Sequence, residues 1–260
     1  MASVFLPRRM RQPFYNIYAY CRYADDLGDE SPSTQVATER LLQWRDGLRR
    51  CFAGESTHPI FEALQATIWE FDLKIEPFHH LLDAFLQDQV KVRYATFAEL
   101  LGYCENSANP VGRIVLRLAE ADTPENVRLS DFICTGLQLA NHWQDVARDF
   151  QSGRVYLPQE DAQKFHVDLE QLKSDNQRIA FMSLMRFQCE RAKAFLEQGK
   201  PLAGQVPKWL ANDVRLFVHG GLATLEAIAR QNFDVRHARP KVARSRQLRL
   251  MLAAALGRLD

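Results

Sequence analysis

The chain has 260 residues, with 33 lysines and arginines against 32 aspartates and glutamates, and 47% of its residues are hydrophobic. This composition is typical of a folded globular protein and excludes a disordered chain. A formal charge of +1 gives no overall attraction for nucleic acid. The longest apolar stretch, Leu250 to Leu256, is far shorter than the roughly 20 residues that a membrane-spanning helix needs.

The beginning of the chain and the cysteines indicate a cellular compartment. No apolar segment of secretory length follows the first basic residues, so no signal peptide is predicted. The five cysteines include no C-x-x-C pair, and an odd number cannot all be bridged internally. Free thiols in a reducing cytoplasm are therefore expected.

The apolar residues repeat mostly with a helical period. Residues 131–150 are predicted to form one long helix, with Ser130 as its N-cap and Gly153 just beyond its end. Further helices are predicted over about 176–198 and 208–231. No convincing alternation of apolar and polar residues indicates strands. We therefore expect a single all-α domain over residues 1–260, with roughly eight to ten helices.

A first acidic row lies near the N-terminus. Asp25 and Asp29 are four residues apart, so on a helix they share a face. Arg22 lies about one turn before Asp25 on the same side, and Tyr18 lies one turn before Arg22.

A second polar row lies on the predicted 131–150 helix. Gln138, Asn141, Asp145 and Asp149 follow one another at spacings of three and four residues. The other side chains of this helix are largely apolar, so the row is predicted to enter the protein interior.

Acidic pairs at this spacing are common on solvated helix faces, and either pair alone favours that interpretation. Carboxylates along one row repel one another and weaken a helix by a few tenths of a kcal/mol per pair. An unpaired charge on a buried helix would also be costly. A row that lines a cavity and binds cations avoids both costs.

Carboxylates one helical turn apart are suited to Mg²⁺, which prefers oxygen ligands and keeps several waters. Two facing rows would hold Mg²⁺ ions that in turn bind a diphosphate. Diphosphate bound in this way is a good leaving group, because the charge that develops on its oxygens is neutralised. The chemistry left behind is that of a carbocation in an apolar pocket.

Three shorter segments fit this interpretation, although each has an ordinary structural alternative. The segment after the second row carries Arg154 and Tyr156, which could clamp phosphate oxygens or simply follow a helix stop. Residues 87–94 mix acidic, basic and aromatic side chains, as a solvated face would. Residues 103–112 include Pro110, which should kink a helix beside the cavity or simply end it.

Together these segments resemble the squalene/phytoene synthase family of head-to-head trans-isoprenyl diphosphate synthases. The motifs Asp25-Asp26-Leu-Gly-Asp29-Glu30 and Asp145-Val-Ala-Arg-Asp149 stand in the expected order, and Gly-Arg-Val-Tyr-Leu-Pro follows the second motif. The likeness extends from Leu6-Pro7 to the segment 220–228. Tyr103-Cys-Glu-Asn-Ser-Ala-Asn109-Pro110-Val-Gly112 looks most like the hydroxysqualene synthases of bacterial hopanoid pathways.

The resemblance implies the all-α isoprenoid synthase fold around a central cavity, with Mg²⁺ as the cofactor. By position, the metal ligands would be Asp25, Asp29, Asp145 and Asp149. The residues implied to surround the diphosphate, the hydrocarbon and the nascent cation are Tyr18, Arg22, Gln87, Tyr103, Asn109, Gln138, Asn141, Arg154 and Tyr156.

The implied reaction converts presqualene diphosphate into hydroxysqualene by ionisation, rearrangement and capture by water. The pathway partners would be a presqualene diphosphate synthase and a hydroxysqualene reductase. One alternative is condensation of two prenyl diphosphates to squalene, dehydrosqualene or phytoene. A second is a non-catalytic helical protein that binds or assembles, although nothing structural requires the four aspartates.

Both ends of the chain carry further expectations. Family members usually have a polar segment next to a Phe before the first helix. This chain begins at Met1-Ala-Ser-Val-Phe-Leu-Pro7, so either its start is truncated or the diphosphate site is completed by other residues. Residues 236–258 contain many basic residues and no acidic one, with a basic helix predicted over about 241–258. That helix either packs on the domain with solvated arginines or rests on the inner face of an anionic membrane.

The seven histidines show no metal-ligand spacing, so core or surface positions are expected for them.

Overall fold

The computed structural model of the protein describes residues 6–259, and this range contains eleven α-helices and no β-strand. The predicted all-α fold is confirmed. The predicted truncation concerns the segment before Leu6, which lies outside the described residues. The helices run over α1 Arg8–Asp29, α2 Thr34–Phe52, α3 Pro59–Phe71, α4 Glu76–Asp88, α5 Phe97–Ser107, α6 Asn109–Leu118, α7 Pro124–Gln151, α8 Gln159–Lys164, α9 Arg178–Gly199, α10 Lys208–Arg230 and α11 Arg244–Ala255.

Side-chain caps set several of the helix starts. Ser33 accepts a hydrogen bond from Val36 N, and Thr96 accepts one from Glu99 N, so each satisfies a backbone donor that the first turn leaves free. Ala108 separates α5 from α6, and Pro110 stands in the first turn of α6. The predicted break at this proline is confirmed.

Helix α7 is longer than the sequence indicated. It begins at Pro124 after the cap Thr123, so the prediction of Ser130 as its N-cap is wrong. Ser130 is buried inside the helix instead. The residues before Ser130 satisfy the helical period as well, because Leu129 also faces the core. The predictions for α9 and α10 agree with the structure to within two residues at each end.

Two apolar clusters surround the central helix. One cluster forms where α7 packs against α9 and α10, and it includes the fully buried Leu139 and Trp143. The other is built by α1, α2, α3 and α4 around Tyr20 and Trp44. Polar residues of α1 and α7 line one cavity, and this arrangement places the candidate site. No helix within residues 6–259 is both long and apolar enough to cross a bilayer.

Candidate active site

A cavity of about 320 Å³ lies between the two acidic rows. Asp25 and Asp29 line it from α1, and Asp145 and Asp149 line it from α7. The two rows therefore lie on the wall of one cavity, which agrees with the hypothesis of two facing rows. The predicted site residues that line the cavity are Asp25, Asp29, Tyr103, Gln138, Asn141, Asp145, Asp149, Arg154 and Tyr156.

The carboxylates in this cavity repel one another. Burial, and then the charge of Asp29, raises the pKa of Asp25, although Arg22 opposes the shift. Burial, and then the charge of Asp145, raises the pKa of Asp149 to about 6. Unfavourable negative charge therefore accumulates in the cavity, and a bound cation would relieve it.

Arginines partly neutralise both rows. Arg22 Nη1 lies 2.8 Å from Asp25 Oδ2, and Arg154 Nη2 lies 3.5 Å from Asp29 Oδ1. On the opposite wall, Arg239 Nη2 lies 3.1 Å from Asp145 Oδ2. Arg239 belongs to the basic segment 236–258, whose arginines were expected in solvent or at a membrane, but the chain after α10 brings it to the second row.

The segment 153–157 is fixed to the loop that follows α4. Val155 N donates to the carbonyl of Val92 at 2.9 Å, and Arg93 Nη1 donates to the carbonyl of Gly153 at 2.9 Å. These bonds present Arg154 and Tyr156 to the cavity. Burial opposes the charge of Arg154, but neighbouring Tyr156, Asp88 and Asp29 raise its pKa overall, so the side chain is a permanent cation.

Asp88 is a further residue of the site, and the sequence did not predict it. It ends α4, lines the cavity, and accepts a hydrogen bond from the Tyr103 hydroxyl at 2.9 Å. Burial raises its pKa to about 6, although the bond from Tyr103 opposes the shift. Its other oxygen, Oδ1, is buried without a hydrogen-bond partner. The only signal in the sequence was a carboxylate within the mixed segment 87–94.

Four predicted site residues lie outside the cavity lining. Tyr18 is 56% exposed, and Arg22 reaches the first row only through its ion pairs. Gln87 Nε2 donates to the Tyr94 hydroxyl at 3.3 Å. Asn109 is buried and accepts a hydrogen bond from Thr135 Oγ1 at 3.0 Å, so its contact ties α6 to α7.

The chemistry of the residues in the cavity fits Mg²⁺, although their side chains do not form a complete coordination site by themselves. Within residues 6–259 no group of three or more His, Cys, Asp or Glu side chains converges closely enough to hold a metal. Mg²⁺ usually binds through one or two carboxylates, waters and substrate phosphates rather than through an all-protein cage. Burial and mutual repulsion raise the pKa of Asp25 and of Asp149, and Asp88 Oδ1 is buried without a partner, so a cation bound in this cavity would be stabilised.

The comparisons with known proteins agree on one family. The model of the squalene/phytoene synthase family matches residues 1–246. The crystal structure of the squalene synthase HpnC from Alicyclobacillus acidocaldarius superimposes with a TM-score of 0.84 at 42% identity, covering 89% of this chain and 88% of that one.

Curated relatives have similar coverage but different activities. The chain is 32% identical to a phytoene synthase of Arthrospira platensis, over 93% of this chain and 82% of that protein. It is 26% identical to a presqualene diphosphate synthase of Rhodopseudomonas palustris, over 98% of this chain and 91% of that protein. These names agree on prenyl diphosphate chemistry and differ in product.

Proposed function

The chain belongs to the squalene/phytoene synthase family, and we propose that it ionises presqualene diphosphate and adds water to the cation, giving hydroxysqualene and diphosphate. Members of this family are isoprenoid synthases that act on prenyl diphosphates with the help of a divalent metal. The observation that carries the proposal is the convergence of Asp25, Asp29, Asp145 and Asp149 on one cavity.

These four aspartates are the proposed Mg²⁺ ligands. When bound, Mg²⁺ would neutralise the charge that develops on the departing diphosphate oxygens. Arg154 stands at the same cavity and would contact the phosphate oxygens, since a guanidinium matches them with two parallel donors. The side-chain amides of Gln138 and Asn141 line the same cavity and would orient the bound substrate.

Aromatic rings stand where the cation would form. Tyr103 and Tyr156 both line the cavity, with ring centroids 5.8 Å apart. The faces of such rings attract a cation without reacting with it. Desolvation by burial raises the pKa of both hydroxyls, so neither ring carries a charge at physiological pH.

Capture by water is supported by the polar side chains of this wall. Gln138, Asn141, His142 and Ser107 line the cavity next to the aromatic rings, and Ser107 Oγ is buried without a partner. Groups of this kind hold a water molecule. The resemblance of the segment 103–112 to hydroxysqualene synthases favours the same outcome.

Product analysis tests the proposal. The protein is offered presqualene diphosphate with and without Mg²⁺, and the products are identified by mass spectrometry. Hydroxysqualene that forms only with Mg²⁺ supports the proposal. A second incubation with farnesyl diphosphate alone tests the alternative, because a C30 product from it would favour head-to-head condensation. The 42% identity to a squalene synthase is the observation that keeps this alternative open.

We also propose that helix α11 rests on an anionic membrane, where an oily substrate and product would be exchanged. Leu250 and Ala254 pack inward, whereas the opposite face exposes Leu248, Met251 and Leu252. Exposed basic residues lie on this helix and just beyond its two ends: Lys241, Arg244, Arg249 and Arg258. Such a helix binds lipid through buried apolar area and charge.

Vesicle sedimentation tests the membrane contact. Vesicles rich in phosphatidylserine should pellet the protein, and the combined change Leu248→Ser, Met251→Ser and Leu252→Ser should abolish pelleting. These side chains are exposed, so the fold should persist, which circular dichroism checks. Pelleting that the triple variant retains would refute the membrane contact.

A further inference from the structure

His142 is a buried titratable residue in the cavity wall, and it belongs to neither acidic row. It lies on α7 one turn after Gln138 and three residues before Asp145. Only 6% of its surface is exposed, yet the side chain lines the cavity. His142 is therefore buried, as expected of a core histidine, and it is also part of the cavity wall.

The imidazole is held firmly within this wall. Its ring stacks on Tyr156, with centroids 3.7 Å apart and planes 20° from parallel. Tyr103 lies on another side, with its ring centroid 6.0 Å away. His142 Nε2 lies 3.3 Å from the amide nitrogen of Gln138. The ring therefore meets the two tyrosines proposed to face the cation and one of the polar groups proposed to face the substrate.

The charge state of this ring matters for a carbocation. Burial lowers the pKa of His142 to about 3, so the imidazole is neutral at physiological pH. A protonated ring at this position would repel the cation and oppose its formation. A neutral ring leaves the cation undisturbed and offers one nitrogen lone pair to a donor.

Capture of a cation by water has two requirements. One lone pair of the water oxygen must face the carbon, and an acceptor must take a proton as the C–O bond forms. A side-chain amide can hold the oxygen through its second lone pair, because its N–H groups are donors. In the ligand-free protein Gln138 Nε2 donates to the lone pair of His142 Nε2. A water that enters between these two atoms on the cavity wall would replace this contact, accepting from the amide and donating to the imidazole.

We propose that Gln138 and His142 bind the water that captures the carbocation, and that the imidazole accepts its proton. This inference rests on the proposed function. An oxygen lone pair forms the C–O bond to the cation, while one O–H bond breaks and its electron pair stays on oxygen. The proton moves to the imidazole and leaves with the released diphosphate or to bulk water, which restores the neutral ring.

The test measures how products partition in the His142→Phe variant. Phenylalanine keeps an aromatic ring against Tyr156 but cannot bind water or accept a proton. With presqualene diphosphate and Mg²⁺, both the diphosphate released and the hydroxysqualene formed are measured for the variant and for the unmodified protein. The hydroxysqualene formed per diphosphate released should fall at least roughly tenfold, since a positioned base typically contributes more than this factor. An unchanged ratio would overturn the inference and leave the diphosphate as the base.

A matched control and a second variant keep the test decisive. Trp143→Phe changes the next residue, which is fully buried and absent from the cavity wall, and should leave the ratio unchanged. If His142→Phe does not fold, His142→Leu replaces it. Failure of the proposed function is a separate outcome: the unmodified protein would then form no hydroxysqualene, and the inference would fall with it. Hydroxysqualene from both the unmodified protein and His142→Phe at the same ratio refutes the inference about His142 alone.

Discussion

Two guanidinium nitrogens of Arg239 contact the carboxylate oxygens of Asp145. Nη2 lies 3.1 Å from Oδ2, and Nε contacts Oδ1. The same Nη2 donates to Gln144 Oε1 at 2.9 Å, and Gln144 Nε2 donates to the carbonyl of Pro240 at 2.8 Å. The chain after α10 is therefore fixed to the second acidic row, and a metal ion that approaches Asp145 meets a guanidinium already there.

Removing this guanidinium should strengthen metal binding. In Arg239→Gln the ion-pair partner of Asp145 is lost, so the ligand-free protein should bind Mg²⁺ roughly two- to fivefold more tightly, the size expected for a partly exposed ion pair. Isothermal titration calorimetry measures the affinity. Arg128→Gln is the matched control, because Arg128 pairs with Glu125 on the exposed start of the same helix. Weaker binding by Arg239→Gln would show that Arg239 does not compete with the metal.

Neutralising one proposed ligand should separate activity from folding. Asp145→Asn keeps the size of the side chain but removes its charge, so we expect diphosphate release to fall by about 10²–10³-fold. Circular dichroism and the melting temperature should show an intact fold. Asp131→Asn is the control on the same helix: it loses the bond between Asp131 Oδ2 and Arg113 Nη2 at 2.6 Å and should cost stability rather than turnover. Unchanged turnover in Asp145→Asn would contradict the proposed metal ligand.

The sequence predicted the acidic rows because each row lies on a single helix. A helical period alone relates Asp25 to Asp29, and Asp145 to Asp149. Asp88 and Arg239 escaped prediction because their positions depend on how distant segments pack, and no local pattern encodes that. The role predicted for Asn109 stays a prediction: its motif resembles a substrate site, and in the structure its Oδ1 accepts a hydrogen bond from Thr135 Oγ1.

Asp88 should make stability depend on pH. Its pKa is about 6 in the folded protein and about 3.9 in the unfolded chain. Between these values the folded state binds more protons, so the free energy of unfolding falls as pH rises from about 4 to 6 and stays lower above that range. Asp88→Asn removes the cost, because the amide has no charge and still accepts a bond from Tyr103. At pH 7.5 the variant should be more stable by about 1–2 kcal/mol.

Urea denaturation at two pH values measures this difference. The gain in Asp88→Asn should nearly disappear at pH 3.5, where the carboxyl group is mostly protonated in both states. Asp83→Asn provides the comparison, since Asp83 lies on the same helix but is exposed and pairs with Arg45 at 2.5 Å. It should show no gain at either pH. Equal stability of Asp88→Asn and the unmodified protein at pH 7.5 would mean that Asp88 is ionised without penalty.

Helix α9 passes so close to α7 that Gly199 has no room for a side chain. A Cβ added there would lie 2.9 Å from the carbonyl oxygen of Leu129 and 3.1 Å from Ile133 N. Both atoms belong to the backbone of α7, so relief requires the two helices to move apart. At Gly220 in α10, by contrast, an added Cβ would meet no atom within 4 Å.

Replacing these two glycines with alanine should therefore change the free energy of unfolding in opposite directions. Alanine is favoured over glycine within a helix by about 1 kcal/mol, so Gly220→Ala should stabilise the protein by up to that amount. Gly199→Ala should instead destabilise it by about 1–3 kcal/mol, the usual cost of overpacking. Urea denaturation gives both values. Because α7 carries Asp145 and Asp149, displacement of this helix by Gly199→Ala should also lower the rate of diphosphate release. If both variants were stabilised equally, the close approach of α9 to α7 would be refuted.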